Sequence, residues 1–177
     1  MRNVVQNLAI RPATIADARA IAEVHVRAWQ WAYRDHMPDE LLDHLDVVAR
    51  EAMWCRMLSG EATNAWLANI RENTVGFVAI GPARTEAEPV DVGEIYAIYL
   101  DRAAVGCGIG RSLLEQATVG LRERGFHAAM LWVLEANTKA RRFYEAAGWS
   151  RDGAEKCEPL GAHAVRELMY RINLKPL

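Results

Sequence analysis

Three glycines alternate with other residues in AVGCGIGRSLL, Ala104 to Leu114, and the pattern then becomes a leucine-bearing helix. A glycine-rich turn that opens a helix offers an anion free backbone N–H groups and the positive end of a helix dipole. The anion such turns hold most often is a phosphate, and three loop chemistries compete. A nucleotide P-loop needs GxxxxGK[ST], but no lysine follows these glycines. A dinucleotide fingerprint needs GxGxxG; Gly106 and Gly108 fit its first two positions, but Arg111 stands where the third glycine belongs. The third chemistry is a pyrophosphate cradle of backbone N–H groups, where glycine lets the chain approach the anion closely. A plain strand-to-helix turn is the structural alternative, and a lone glycine cluster does not separate the two.

The rest of the chain must position that loop. Its 177 residues suit one domain with a real core, and 51% hydrophobic with 25% charged residues suit a soluble globular one. A formal net charge of −2 offers no basic field, so no nucleic-acid partner is expected. No apolar run approaches the ~20 residues of a membrane span. The N-terminal MRNVVQNLAI lacks the pattern of a secretion signal. Cys55, Cys107 and Cys157 are odd in number and far apart, without a CxxC pair, which fits a reducing cytoplasm better than a disulfide framework or a zinc site. The histidines show no ligand spacing, and no metal is expected.

Periodicity gives the elements. A short strand covers Asn7 to Arg11, and Thr14, with Asp17 in a weak capping box, starts a helix running to about Tyr33. MPDELLDHL starts a second helix and Val47 to Leu58 form a third. AWLANI and TVGFVAI read as strands joined across RENT, and GPARTEAEPVDVG as a polar loop. EIYAIYL is a central strand, apolar on both faces. The glycine loop then opens a helix from Ile109 to about Arg124, ended by Gly125. HAAMLWVL is a strand, TKARRFYEAA a helix closed by Gly148, and AVRELMYRIN a last strand. This order predicts an α/β fold: a central mixed, mostly antiparallel sheet with helices on both faces.

Two segments carry a family resemblance. EIYAIYLDRAAVGCGIGRSLL, followed by NTKARRFYEAAGW, resembles the GNAT superfamily of acyl-CoA-dependent N-acyltransferases. The family's loop, [R/Q]-x-x-G-x-[G/A], falls on Val105-Gly106-Cys107-Gly108-Ile109-Gly110; Asn137, Tyr144, Gly148 and Trp149 occupy the places of its later pattern. Val105 departs from the usual arginine or glutamine, which removes a polar side chain near the phosphates. The resemblance runs from IRPAT to LMYRINL. It implies a single GNAT domain over residues 7–175 after a short extension, 1–6. It implies acetyl-CoA as cosubstrate and, as acceptor, an amine of a small molecule or peptide, and it admits a homodimer. The cofactor's pyrophosphate would rest on the N–H groups of Gly106 to Arg111, and its pantetheine arm beside Ile98, Tyr99 and Leu100. Asn137 would contact that arm or cap its helix. Cys107 is a reactive thiol or, more simply, one more backbone donor.

The chemistry the resemblance implies assigns roles. An ammonium with a pKa of about 10.4 must lose a proton before it attacks a thioester, and an acid near the departing thiolate helps. Tyr144 is the candidate acid, with packing against the sheet as its alternative. Glu94 is the candidate base; strand alternation puts it beside Tyr96 and Ile98 unless a bulge intervenes, and its alternative is a strand-end carboxylate paired with an arginine. Glu135 is a second candidate. Trp29 and Tyr33, on one flank of the first helix, would wall the acceptor, with Asp35, Asp39 or Glu40 attracting its charge. His25 lies on the apolar stripe and reads as a hydrogen-bonded core histidine. A non-catalytic acyl-CoA sensor with the same fold is the rival function.

Overall fold

The computed structural model describes residues 7–85, 88–160 and 163–174. The extension 1–6 and the residue-175 end of the expected domain lie outside them. Strand β1 (Leu8–Pro12) leads to a 3-10 turn, Ile15–Asp17, where the capping box forms: the Thr14 N–H donates to Asp17 Oδ2 at 2.8 Å. Helix α1 (Ala18–Ala32) follows and stops one residue before Tyr33. Helices α2 (Asp39–Asp43) and α3 (Val47–Ser59) complete the first third. β2 (Asn64–Ile70) and β3 (Asn73–Pro82) form the hairpin, turning at Arg71, whose φ is 56°. β4 (Val92–Leu100), α4 (Ile109–Glu123), β5 (Ala128–Leu134) and α5 (Thr138–Ala146) come next.

One strand escaped the pattern. Ser150–Leu160 forms β6, and the last strand, His163–Asn173, is β7. SRDGAEKCEPL carries no apolar alternation because most of it faces solvent. It is held as an edge strand by its ladder to β7 and by ion pairs of Arg151 and Arg166 with Glu155. The seven-stranded sheet has the order β1-β2-β3-β4-β5-β7-β6, and β4–β5 is its parallel pair among antiparallel neighbours. The expected mixed sheet is therefore present, with one hairpin more than periodicity shows.

Two apolar layers sandwich the sheet. Ile21, Ala22 and Val24 of α1 and Trp54 of α3 pack with Leu67, Phe77 and Ala79. On the other face Ile109, Leu113, Ala117 and Leu121 of α4 bury against Val78, Ile80, Ile95 and Leu131. Between them β4 is irregular. Ala79 pairs with Ala97 and Ile80 with Ile95, so Tyr96 is an extra residue, a β-bulge. The bulge resets the alternation: Tyr96, Ala97 and Tyr99 join the α1 layer, while Ile95, Ile98 and Leu100 join the α4 layer. Alternation from Glu94 through Tyr96 to Ile98 therefore breaks, and Ile98 faces away from Tyr96.

Gly81 makes the bulge possible. A Cβ there would collide with the Tyr96 hydroxyl, which donates to the Pro82 carbonyl at 2.7 Å, and would stand 2.6 Å from the Ala62 carbonyl oxygen. We expect Gly81→Ala to destabilise the fold by about 1–3 kcal/mol through this overpacking, measured by urea unfolding. A loss below a few tenths would show that the bulge does not depend on this contact.

Candidate active site

The glycine loop is a set of donors without acceptors. After a 3-10 turn at Arg102–Ala104, Gly106 and Gly108 have φ values of 79° and 84°, a region in which a side chain is strained, and open space surrounds both α-carbons. Among the described residues no carbonyl accepts from the N–H groups of Gly106 through Arg111; the ladder resumes with Ser112 donating to Gly108. These N–H groups gather at the positive end of α4, where an anion is stabilised. Side chains contribute little. Val105 is 48% exposed, Ile109 and Gly110 are buried, and the Arg111 guanidinium turns to Glu115 at 3.1 Å. The Cys107 sulfur lies 3.9 Å from the carbonyls of Ala103 and Val105.

The loop is pinned from α1. Arg27 holds Asp101 with two bonds of 2.9 and 3.0 Å, and Trp31 Nε1 donates to the Leu100 carbonyl at 3.2 Å. The Asp101 N–H returns to Val75 at 2.8 Å. Next to the loop the sheet opens. β4 pairs with β5 only through Val92–Ala128, Gly93–Ala129 and Glu94–Met130. Beyond the bulge, Ile98, Tyr99 and Leu100 have β3 on one side and no strand on the other, although Leu100 already receives the Trp31 bond. A slot with an unpaired strand edge thus runs from Glu94 to the cradle.

The titratable groups around the slot are unlike one another. Glu94 is 3% exposed and ion-paired. Arg84 donates from its backbone N–H to Oε2 at 2.9 Å and from Nη2 to Oε1 at 2.5 Å, and its guanidinium lies 4.2 Å from the Tyr96 ring centroid. The arginine partner named as an alternative for Glu94 is therefore present. Tyr144 is 7% exposed and packs beside Trp149 and Tyr170. Burial, then the neighbouring Tyr99, raises its phenol well above the usual range. Burial similarly raises Tyr99 and Tyr33, and the Glu167 carboxylate adds to both. All three phenols stay protonated at neutral pH. Tyr99, expected only for its backbone, thus brings a side chain to this cluster because the bulge turns it there.

The remaining candidates separate. Asn137 Oδ1 accepts from the Ala140 N–H at 3.0 Å, so it caps α5. Trp29 and Tyr33 meet edge to face at 5.1 Å, with Trp29 under the Arg50 guanidinium. Asp39 is tied with Asp43 to Arg34. A hollow of about 330 Å³ opens beside Arg34, Asp35, Met37 and Val165. Glu135 pairs with Arg166 at 3.4 Å, part of a network that also holds Glu155. Arg84 and Glu167 had no signal in the sequence: a ten-residue separation across a loop, and a strand pairing, carry no motif.

A model of the acetyltransferase (GNAT) family matches residues 18–149. The chain belongs to the GNAT acetyltransferase family. A relative of Bacillus subtilis, the uncharacterized N-acetyltransferase YuaI, is 34% identical over 86% of each chain. Among solved structures, YncA of Salmonella typhimurium, a putative acetyltransferase crystallised with acetyl-CoA, superposes with a TM-score of 0.73 at 21% identity, covering 97% of this chain and 96% of its own. The PaiA N-acetyltransferase of Thermoplasma acidophilum, in complex with coenzyme A, gives 0.72 at 18% identity over 94% and 98%. Membership makes the protein an acetyltransferase, and acetyl-CoA is the cosubstrate this family uses. No helix among the described residues is long and apolar enough to cross a membrane.

His25 gives this region a pH dependence. Its Nδ1 accepts from Trp54 Nε1 at 3.1 Å, its ring stacks on Tyr99 at 5.0 Å, and burial, then Arg50, lowers its pKa from 6.5 to about 3. A lowered imidazole pKa means that the unfolded chain takes a proton the folded chain refuses. The neutral histidine costs no stability above pH 6.5, and stability falls as the pH drops from there towards 3. The expected slope is about 1.4 kcal/mol per pH unit, read by urea unfolding between pH 6 and 4, and His25→Phe should remove it. An equal slope in the variant would assign the acid sensitivity elsewhere.

Proposed function

We propose that this enzyme transfers the acetyl group of acetyl-CoA directly to a primary amine of a small-molecule or peptide acceptor. The observation that carries the reading is the run of free N–H groups from Gly106 to Arg111 beside the unpaired edge of β4. The cradle fits a pyrophosphate, and because Val105 supplies no polar group, backbone donors do this work. The edge at Ile98 and Tyr99 fits an extended amide-bearing chain, which would add to the sheet as a strand does. Asn137, already the α5 cap, has its amide nitrogen left for the same chain.

Acetyl-CoA supplies an activated thioester. The amine nitrogen forms a bond to the carbonyl carbon, the C–S bond breaks, and one proton leaves nitrogen while one reaches sulfur. No covalent enzyme intermediate is needed, since holding both substrates in one slot supplies much of the acceleration. Tyr144 is the donor to the thiolate: it is buried, protonated and next to the cluster of Tyr33 and Tyr99. Glu94 receives the amine proton through a water. Arg84 orients its carboxylate without using every lone pair, because a carboxylate offers about four acceptor positions. Trp29 and Tyr33 form the aromatic wall on the acceptor side.

Tyr144→Phe should lower kcat by about a hundredfold while the acetyl-CoA Kd, read by calorimetry, stays within about twofold. Free-thiol release over a panel of amines measures the first. Glu94→Gln should remove the rise of kcat/KM with pH that deprotonation of a base produces. Turnover unchanged in the tyrosine variant, or an intact pH limb in the glutamine variant, would take that role away from the residue.

A further inference from the structure

A second group of charges stands on the α1 side of β5, β7 and β6. Leu134 pairs with Glu167, and Glu167 with Lys156, so these residues share a face with Trp132, two positions before Leu134. Trp132 lies in the stretch of β5 that β4 has left. The Lys156 ammonium is 4.7 Å from the Trp132 ring centroid, 3.0 Å from Glu158 and 3.1 Å from Glu167. An ammonium on an aromatic face between two carboxylates is how a protein binds a foreign alkylammonium. Here the chain supplies the ammonium itself. Leu134, the cross-strand neighbour of Glu167, packs in one apolar cluster with Trp29 and Tyr33, so this group borders the proposed acceptor side of the slot. Other charges on this face are paired among themselves: Arg84 with Glu94, Arg171 with Glu88 and Asp152, and Arg34, beside Val165, with Asp39 and Asp43.

We infer that Lys156 is a specificity-determining residue that makes the enzyme prefer monoamine acceptors: its ammonium occupies the place on Trp132, beside Glu158 and Glu167, that the second positive charge of a diamine would take. A diamine held with one nitrogen at the thioester brings its far ammonium against Lys156, with Trp132 covered and both carboxylates engaged. A monoamine with an apolar tail meets no such repulsion. Removing the Lys156 charge opens the ring and frees Glu167, turning exclusion into attraction.

The inference rests on the acetyl-transfer reading, so its test has two arms. The first compares kcat/KM for linear α,ω-diamines of three to six carbons with that for monoamines of equal length. Lys156→Ala should raise the diamine-to-monoamine ratio by about tenfold, the weight of a cation–π contact with a carboxylate pair, Glu167→Gln added to it should cancel the gain, and Lys156→Arg should keep the wild-type ratio. A ratio unchanged in Lys156→Ala, or a gain that survives Glu167→Gln, overturns the inference. The second arm titrates the same diamines calorimetrically into the protein saturated with coenzyme A. If no amine is acetylated by any variant, the transfer reading fails, and this arm still decides: tighter diamine binding in Lys156→Ala, reversed by Glu167→Gln, supports the role of Lys156, and equal binding overturns it.

Discussion

One extra residue in β4 sets the geometry on which the site depends. Because Tyr96 has no partner on β3, the strand bends, and its ladder to β5 ends at Glu94 and Met130. Two consequences follow. A strand edge is left unpaired in the middle of the sheet, where a neighbouring strand would otherwise have covered it. The side chains after the bulge also exchange faces, so Tyr99 meets His25 and Trp29 of α1 instead of α4. Gly81 and the Pro82 carbonyl hold the irregularity in place from the neighbouring strand.

Unsatisfied backbone groups are normally a cost, and this fold concentrates them at the start of α4 and along the far half of β4. The N–H groups of the cradle gather at the start of α4, and the open edge of β4 leads to them. Both are made rigid from behind. α4 is anchored by Ile109, Leu113 and Ala117, and the entry to the loop is fixed by the Arg27–Asp101 pair and by Trp31. A donor array built of main chain tolerates side-chain change, so the apolar Val105 leaves it undisturbed.

What could be read from the sequence was local. Glycines at 106 and 108, the helix they open and the asparagine before α5 each leave a mark within a few residues, because turn dihedrals and helix ends demand particular side chains. The features that needed the folded chain are pairings at a distance. The bulge changes no residue type, only register, so alternation placed Ile98 with Glu94 on the wrong face. β6 is a polar edge whose strand state is imposed by β7. The Arg84–Glu94 and Lys156–Glu167 pairs join residues by loop closure and strand register, which composition does not encode.

Amide hydrogen exchange followed by NMR, with and without coenzyme A, tests the central claim most directly. If the cradle and the open edge are the binding surface, the N–H groups of Gly106 through Arg111 exchange freely in the free protein and become protected on binding, together with amides of β4 beyond Tyr96. Binding that leaves those amides unprotected while slowing exchange elsewhere would contradict the account.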